Sequence, residues 1–116
     1  MINTTEQPDH TGGNATIAAK GEIVPLRDRN YNGPQGTWNY NRASVISYLT
    51  VLHRMSAPTG QTAPTPPAAW PDNTYSTPQK RFYFNDEPVV ITHQPANTDG
   101  NSVVLFRKSD VLSTGD

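Results

Sequence analysis

The residues of this 116-residue chain whose types could do chemistry are His10, His53 and His93, the pairs Asp9-His10 and Asp86-Glu87, and the turn Gly33-Pro34-Gln35-Gly36. A metal ion needs two or more ligands brought side by side, as histidines at i and i+4 of a helix are. The three histidines have no such spacing and read as surface or capping residues. Asp9-His10 pairs a base with an orienting carboxylate, but it lies in a polar stretch with nothing to hold a nucleophile within hydrogen-bond reach. Asp86 and Glu87 are neighbours in a turn, so their side chains point apart and cannot share a proton, and turn chemistry accounts for Asp86. No serine stands in a nucleophile-elbow context, and Gly33-Pro34-Gln35-Gly36 lacks the lysine and following helix of a phosphate loop. The sequence is therefore expected to be non-enzymatic, with no catalytic residues, no metal and no cofactor.

Composition points the same way. Nine basic and ten acidic residues leave a net charge of −1, which gives no electrostatic footprint for nucleic acid or an anionic membrane. Lys80-Arg81 and Arg107-Lys108 read as solubilising charges at strand ends. Val, Ile, Leu and Phe make up 21 of the 116 residues, a thin apolar supply that fits a small core with polar appendages. The absence of cysteine excludes disulfides and thiolate metal sites, so packing or assembly must hold the fold. The sequence from Met1 to Gly13 has no apolar signal-peptide core, and no run approaches the ~20 apolar residues of a membrane span. The sequons at Asn3 and Asn14 then read as chance, and the expected compartment is a cytosol or a particle assembled in one.

The elements that must position these residues follow from periodicity. Met1 to Asn14, polar and broken at Gly12-Gly13, reads as an extended arm (residues 1–14) preceding one domain (residues 15–116). Thr16 to Ala19 and Glu22 to Leu26 read as short strands, and Arg27 to Asn39 as a loop with the turn Asn32-Gly33-Pro34, ending at the anchoring aromatics Trp38 and Tyr40. A helix is expected over Asn41 to Ser56. Val45, Tyr48, Leu49, Leu52 and Met55 would form its apolar stripe, packed on the sheet face of Phe82 and Phe84. Lys80 to Phe84, Val89 to His93, Ser102 to Arg107 and Val111-Leu112 alternate as strands, the first two joined by a turn at Asn85-Asp86-Glu87-Pro88. The fold class is α+β: a small antiparallel sheet or sandwich of four to five strands with one packed helix.

Between helix and sheet lies Ala57 to Pro78, with six of the eleven prolines and one charge, Asp72. Proline fixes φ and removes a backbone donor, so this stretch should run as polyproline II and turns, reaching up to about 68 Å if extended. Ordering it and the arm costs about 1.5 kcal/mol per residue. Burial of the few large apolar side chains, Met1, Ile2, Trp70 and Tyr75, returns only about 1.5 to 3 kcal/mol each. Both segments are expected to contact neighbours, with Ile2, Pro64, Pro66, Pro67, Trp70 and Tyr75 as protein-interface residues. Trp70, between Pro67 and Pro71, would be the main anchor.

The polar arm Met1 to Asn14, the strip Ala57 to Pro78, the small size, the near-zero charge and the lack of cysteine together resemble small structural proteins of bacteriophage virions, in particular head decoration or cement proteins. The resemblance implies binding across junctions of capsid subunits, with capsid or other virion proteins and further copies of the chain as partners. Charge and hydropathy lead to the expectation of no nucleic-acid and no membrane partner, and the resemblance implies residence in a virion assembled in the host cytoplasm. Head-tail adaptor, tail component and small coat protein are alternatives within the class. Outside it stands a carbohydrate- or protein-binding module using Trp38, Tyr40, Trp70 and Tyr75 as stacking platforms.

Overall fold

In a computed structural model of the chain, residues 1–21, 42–57 and 60–115 are described. The expected strand Glu22 to Leu26, the loop Arg27 to Asn39, Trp38, Tyr40, the first residue of the expected helix, Asn41, and Pro58 lie outside them. The fold is α+β, with helices α1 (Pro8–Thr11), α2 (Asn14–Lys20) and α3 (Leu49–Ser56) and strands β1 (Ile46–Tyr48), β2 (Asn73–Tyr75), β3 (Gln79–Phe84), β4 (Glu87–His93), β5 (Ser102–Phe106) and β6 (Val111–Ser113). Strands β3 to β6 form an antiparallel sheet in sequence order, and β1 and β2 form a parallel pair.

The antiparallel sheet follows the alternation in the sequence. Phe82 pairs with Val89, Val89 with Phe106 and Ile91 with Val104, so one face collects the buried Phe82, Val89, Ile91 and Val104. The β3–β4 hairpin closes through Asn85 (φ 50°) and Asp86 (φ 59°), the left-handed pair of a two-residue hairpin whose twist matches the strands. Pro88 is tolerated inside β4 because it lies past Phe106, the last residue of β5 to pair with β4. There the Arg107 N–H donates to the Pro88 carbonyl at 3.0 Å, and the ladder does not require the donor that proline lacks.

Elsewhere the structure corrects the sequence-based expectations. Residues 16–19 belong to α2 and not to a strand. The alanines of this segment favour a helix, and Gly21 ends it, where the Gly21 N–H donates to the Ala18 carbonyl at 3.2 Å. The helix expected from residue 41 begins at Leu49. Ile46–Tyr48 is strand, because these residues find backbone partners on both sides: Ile2 bridges Ile46, and Ile46 to Tyr48 run in register with Asn73 to Tyr75. The buried side of α3 is accordingly Val51 and Met55, while Leu49 and Leu52 are half-buried. Val51 and Met55 pack with Ala69, Ala15 and Trp70 and not on Phe82 and Phe84.

The N-terminal residues do not form a free arm. The Asn3 N–H donates to the Ile46 carbonyl and the Ile46 N–H to the Met1 carbonyl, both at 2.8 Å, and the Ser102 N–H donates to the Thr4 carbonyl at 3.0 Å. Asn3 and Thr5 are buried. Main-chain pairing thus incorporates a segment whose side chains alone would not hold it.

Candidate functional site

Residues 60–75 show how a donor-poor segment is fixed. Their carbonyls are met by side chains, two from distant parts of the chain and one, Trp70, from within the segment. Asn14 Nδ2 donates to the Ala69 carbonyl at 2.9 Å, Arg42 Nη1 to Ala68 at 2.5 Å and Nη2 to Trp70 at 3.2 Å, and Trp70 Nε1 to Thr65 at 2.8 Å. Asp72 accepts from Ser44 Oγ at 2.9 Å and from the Val45 N–H at 2.7 Å, and it lies 3.5 Å from Arg42 Nε. Ala69 is buried in the α3 cluster, with Trp70 packed beside it. Pro64, Pro66 and Pro67 are left exposed on the outside.

The sequence-based interface residues therefore separate. Tyr75 is 7% exposed and belongs to the main core, which corrects its assignment to an interface. Its hydroxyl meets Ser102 Oγ at 2.9 Å, its ring meets Tyr48 edge-on at 5.3 Å, and burial raises its pKa, against the opposing effect of the Ser102 bond. Trp70 is half-buried on its own chain, with its indole N–H engaged, which removes the free stacking platform expected of it. Ile2 packs against the main core from its edge. The two sequon asparagines are buried, and Asn14 has its amide engaged with Ala69, so in this fold they are not available to a glycan.

The polar residues first considered for chemistry hold loops in place. His93 stacks on Tyr48 with ring centroids 3.5 Å apart, and its Nε2 lies 2.7 Å from the Asp99 carbonyl. Arg54 Nε donates to Asp99 Oδ1 at 2.8 Å and stands 3.6 Å from Glu6. Glu6 in turn accepts from Thr98 Oγ1 at 3.0 Å. This network ties the N-terminal segment, α3 and the β4–β5 loop together, and the Arg54 hydrogen bond holds the Asp99 carboxyl below its usual range. A side chain at Gly100 would place its Cβ 2.7 Å from Val51 Cγ2, so only glycine lets this loop lie so close to α3. Glu87 accepts from the Ser109 hydroxyl at 2.7 Å and from the Lys108 and Ser109 N–H groups. These bonds, the Ser109 hydroxyl foremost, lower its pKa and pin the β5–β6 turn. Asp86 pairs with the Lys108 ammonium at 2.6 Å, so the two carboxylates meet different groups of the same turn and not each other. Asp9 and His10 sit 3.7 Å apart on α1. Among the described residues no group of three or more His, Cys, Asp or Glu stands close enough to hold a metal ion.

What remains is an open apolar cleft of about 430 Å³ between the inner sheet face and the N-terminal residues bridged to β1. Phe82, Phe84, Val89, Val104 and Phe106 form one wall, Ile2 and Ile46 the other, and Met1, Thr4, Ala43, Ser44 and Ser113 complete the lining. No charged side chain lines it, and Phe84 at its margin is 41% exposed. The strand alternation placed Phe82 and Phe84 on one face in advance, a face that the helix was expected to cover. The opposing wall was not visible, because three-residue strands paired across long separations leave no periodic signal. No family model, no curated protein and no solved structure matches the chain. No helix among the described residues is long and apolar enough to cross a membrane.

Proposed function

We propose that this chain is a non-enzymatic structural protein of a virion, of the capsid-decoration kind, which binds between capsid subunits and to further copies of itself. The observation that carries this reading is the open apolar cleft lined by Phe82, Phe84 and Phe106. Apolar surface left open beside a polar exterior marks a protein-contact site, and aromatic side chains concentrate the energy of such contacts. The exposed prolines Pro64, Pro66 and Pro67 add a rigid contact strip that loses little entropy on docking. A net charge of −1 suits repeated protein contacts better than nucleic-acid binding. On this reading the partners are capsid or other virion proteins and the chain itself, and the protein resides in a particle assembled in the host cytoplasm.

The test is quantitative mass spectrometry of purified particles of the virus whose genome carries the sequence. A fixed copy number per shell, retained through density-gradient purification, is the expected result. Recovery of the chain only from the unassembled fraction would overturn the proposal.

A further inference from the structure

We infer that the free edge of β3 pairs with β3 of a second copy, antiparallel about a two-fold axis at Phe82, so that two sheets become one. This deepens the self-contact in the proposed function and rests on that part of the reading alone, since it uses the main chain of an edge strand and not the cleft.

β3 and β6 are the two edges of the antiparallel sheet. β6 is three residues long, and so short an edge strand resists pairing. β3 runs six residues, from Gln79 to Phe84, all paired to β4 in one register with no bulge and no proline. The Pro78 carbonyl accepts from the His93 N–H at 2.9 Å, and hydrogen-bonded pairs alternate along an antiparallel ladder. The main-chain groups of Lys80, Phe82 and Phe84 therefore point to β4, and those of Gln79, Arg81 and Tyr83 point to the free edge. The Gln79 carbonyl is met by Thr77 Oγ1 at 2.8 Å. Among the described residues nothing outside β4 pairs with the main chain of Arg81 or Tyr83. The side chains of Gln79 and Arg81 are exposed and that of Tyr83 is 73% exposed, so this edge is open to a partner.

An open edge captures another strand by main-chain hydrogen bonds, and the residues of β3 decide which strand fits. About a two-fold axis normal to the sheet, two copies of β3 meet antiparallel with like faces together. An axis at Arg81 sets Arg81 against its own copy, and like charges directly opposite repel. It also calls on the Gln79 carbonyl that Thr77 already holds. An axis at Lys80 opposes the two lysines, and one at Tyr83 runs Arg81 into the turn residue Asn85. With the axis at Phe82, Arg81 falls opposite Tyr83 and Tyr83 opposite Arg81, each pair exchanging both of its outward main-chain bonds. Lys80 falls opposite Phe84, and Phe82 opposite Phe82. Every cation of the strand then faces an aromatic ring, which attracts it, and no like charges meet. The strand is thus complementary to itself in this register, and a two-fold contact of this kind closes at two copies. On the inner face it sets Phe82 and Phe84 of both copies side by side, so that the two clefts lie along one sheet.

Sedimentation velocity of the full chain over a concentration series tests the inference. Wild type should pass from monomer to dimer and no further. Tyr83→Lys sets a lysine against Arg81 of the second copy on both sides of the axis. It should weaken the dimer at least tenfold, with the monomer's thermal midpoint within a few degrees of wild type. Adding Arg81→Glu to that chain should restore the dimer, because glutamate then faces lysine in both pairs. Cross-linking covers the case in which Tyr83→Lys does not fold. The chain has no cysteine, and the Cα atoms of a hydrogen-bonded pair lie about 5.5 Å apart, within disulfide reach. An oxidised equal mixture of Arg81→Cys and Tyr83→Cys should therefore give the mixed disulfide dimer at least tenfold over either like dimer. A monomeric wild type, a Tyr83→Lys dimer as tight as wild type, no rescue by Arg81→Glu, or mixed and like disulfides in equal amounts overturns the inference. If wild type is monomeric and Tyr83→Lys is lost from particles, the edge takes a strand of another protein and the second copy is the wrong occupant. If the dimer forms as described but Phe84→Asp enters particles as well as wild type, the dimer stands and the cleft-docking reading falls.

Discussion

The N-terminal stretch (residues 1–14) and the proline-rich segment look alike in sequence, each with only two large apolar side chains outside its prolines, Met1 and Ile2 in the one and Trp70 and Tyr75 in the other, yet the fold secures them by opposite means. Residues 1–5 keep their backbone donors and enter the body by main-chain pairing, through Asn3, Ile46, Met1, Thr4 and Ser102. Residues 60–75, short of donors because of proline, are held mainly by side chains that reach their carbonyls from elsewhere, notably Asn14 and Arg42. Backbone bonds within the segment are confined to the 3-10 turn Pro67–Ala69, and from Asp72 into β2 backbone pairing with the chain around β1 resumes. The number of free backbone donors in a segment thus decides whether strand pairing or side-chain clamps must fasten it.

That contrast can be broken at several points. The largest effect is expected from deleting residues 1–5, which removes the Ile2 contact and the surrounding main-chain bonds. The loss should be on the order of 5 kcal/mol in urea unfolding, and an unchanged midpoint would show that the segment is an appendage after all. Next come the clamps. Asn14→Ala and Arg42→Ala should each cost about 1 to 3 kcal/mol by leaving carbonyls of the proline segment unpaired. Arg81→Ala on the exposed edge of β3 should stay within about 0.5 kcal/mol. Trp70→Phe, which keeps the ring's bulk but loses the donor to Thr65, should cost about 0.5 to 1.5 kcal/mol. Loss of protection at the Trp70 indole proton in native hydrogen exchange of the Arg42 variant would show that the clamps act together.

The smallest effect concerns pH. Asp99 and Glu87 have folded-state pKa values below their ordinary ones, through the Arg54 and Ser109 hydrogen bonds respectively. The folded state therefore binds fewer protons than the unfolded chain in acid. Their stabilisation is complete above the ordinary carboxylate pKa of about 4 and is lost as pH falls through the lower folded values. Both groups are exposed, so the change in urea midpoint from pH 6 to pH 3 should be modest, and Asp99→Asn should reduce it. A midpoint in that variant with the same acid slope as wild type would remove Asp99 from the account.

The antiparallel sheet was legible because its signals are local. The alternation over Lys80 to Phe84 and the β-branched run from Val89 placed β3 and β4 within two residues of their observed bounds, while the expected four-residue turn at Asn85-Asp86-Glu87-Pro88 is the two-residue turn Asn85-Asp86, Glu87 and Pro88 belonging to β4. The helix was legible only in its second half. Val45 and Tyr48 match the helical spacing of Leu49, Leu52 and Met55, but they sit in a stretch that finds strand partners at Ile2 and Asn73 to Tyr75. Those partners lie far along the chain, and nothing at residue 46 announces them. The cleft was half legible for the same reason: its sheet wall follows from periodicity, its other wall from long-range pairing. Tyr75 was misassigned because a lone aromatic among prolines gives no sign of Ser102, the polar partner that lets it be buried.

The most direct test of the central claim, that the phenylalanine-lined cleft is the surface by which the chain joins an assembly, is a competition for incorporation. Wild-type chain and Phe84→Asp, distinguished by isotope label and supplied in equal amounts, are allowed to assemble with particles lacking the protein, and the incorporated ratio is read by mass spectrometry. The account predicts wild type in at least tenfold excess with both chains equally folded in solution. Equal incorporation would contradict it.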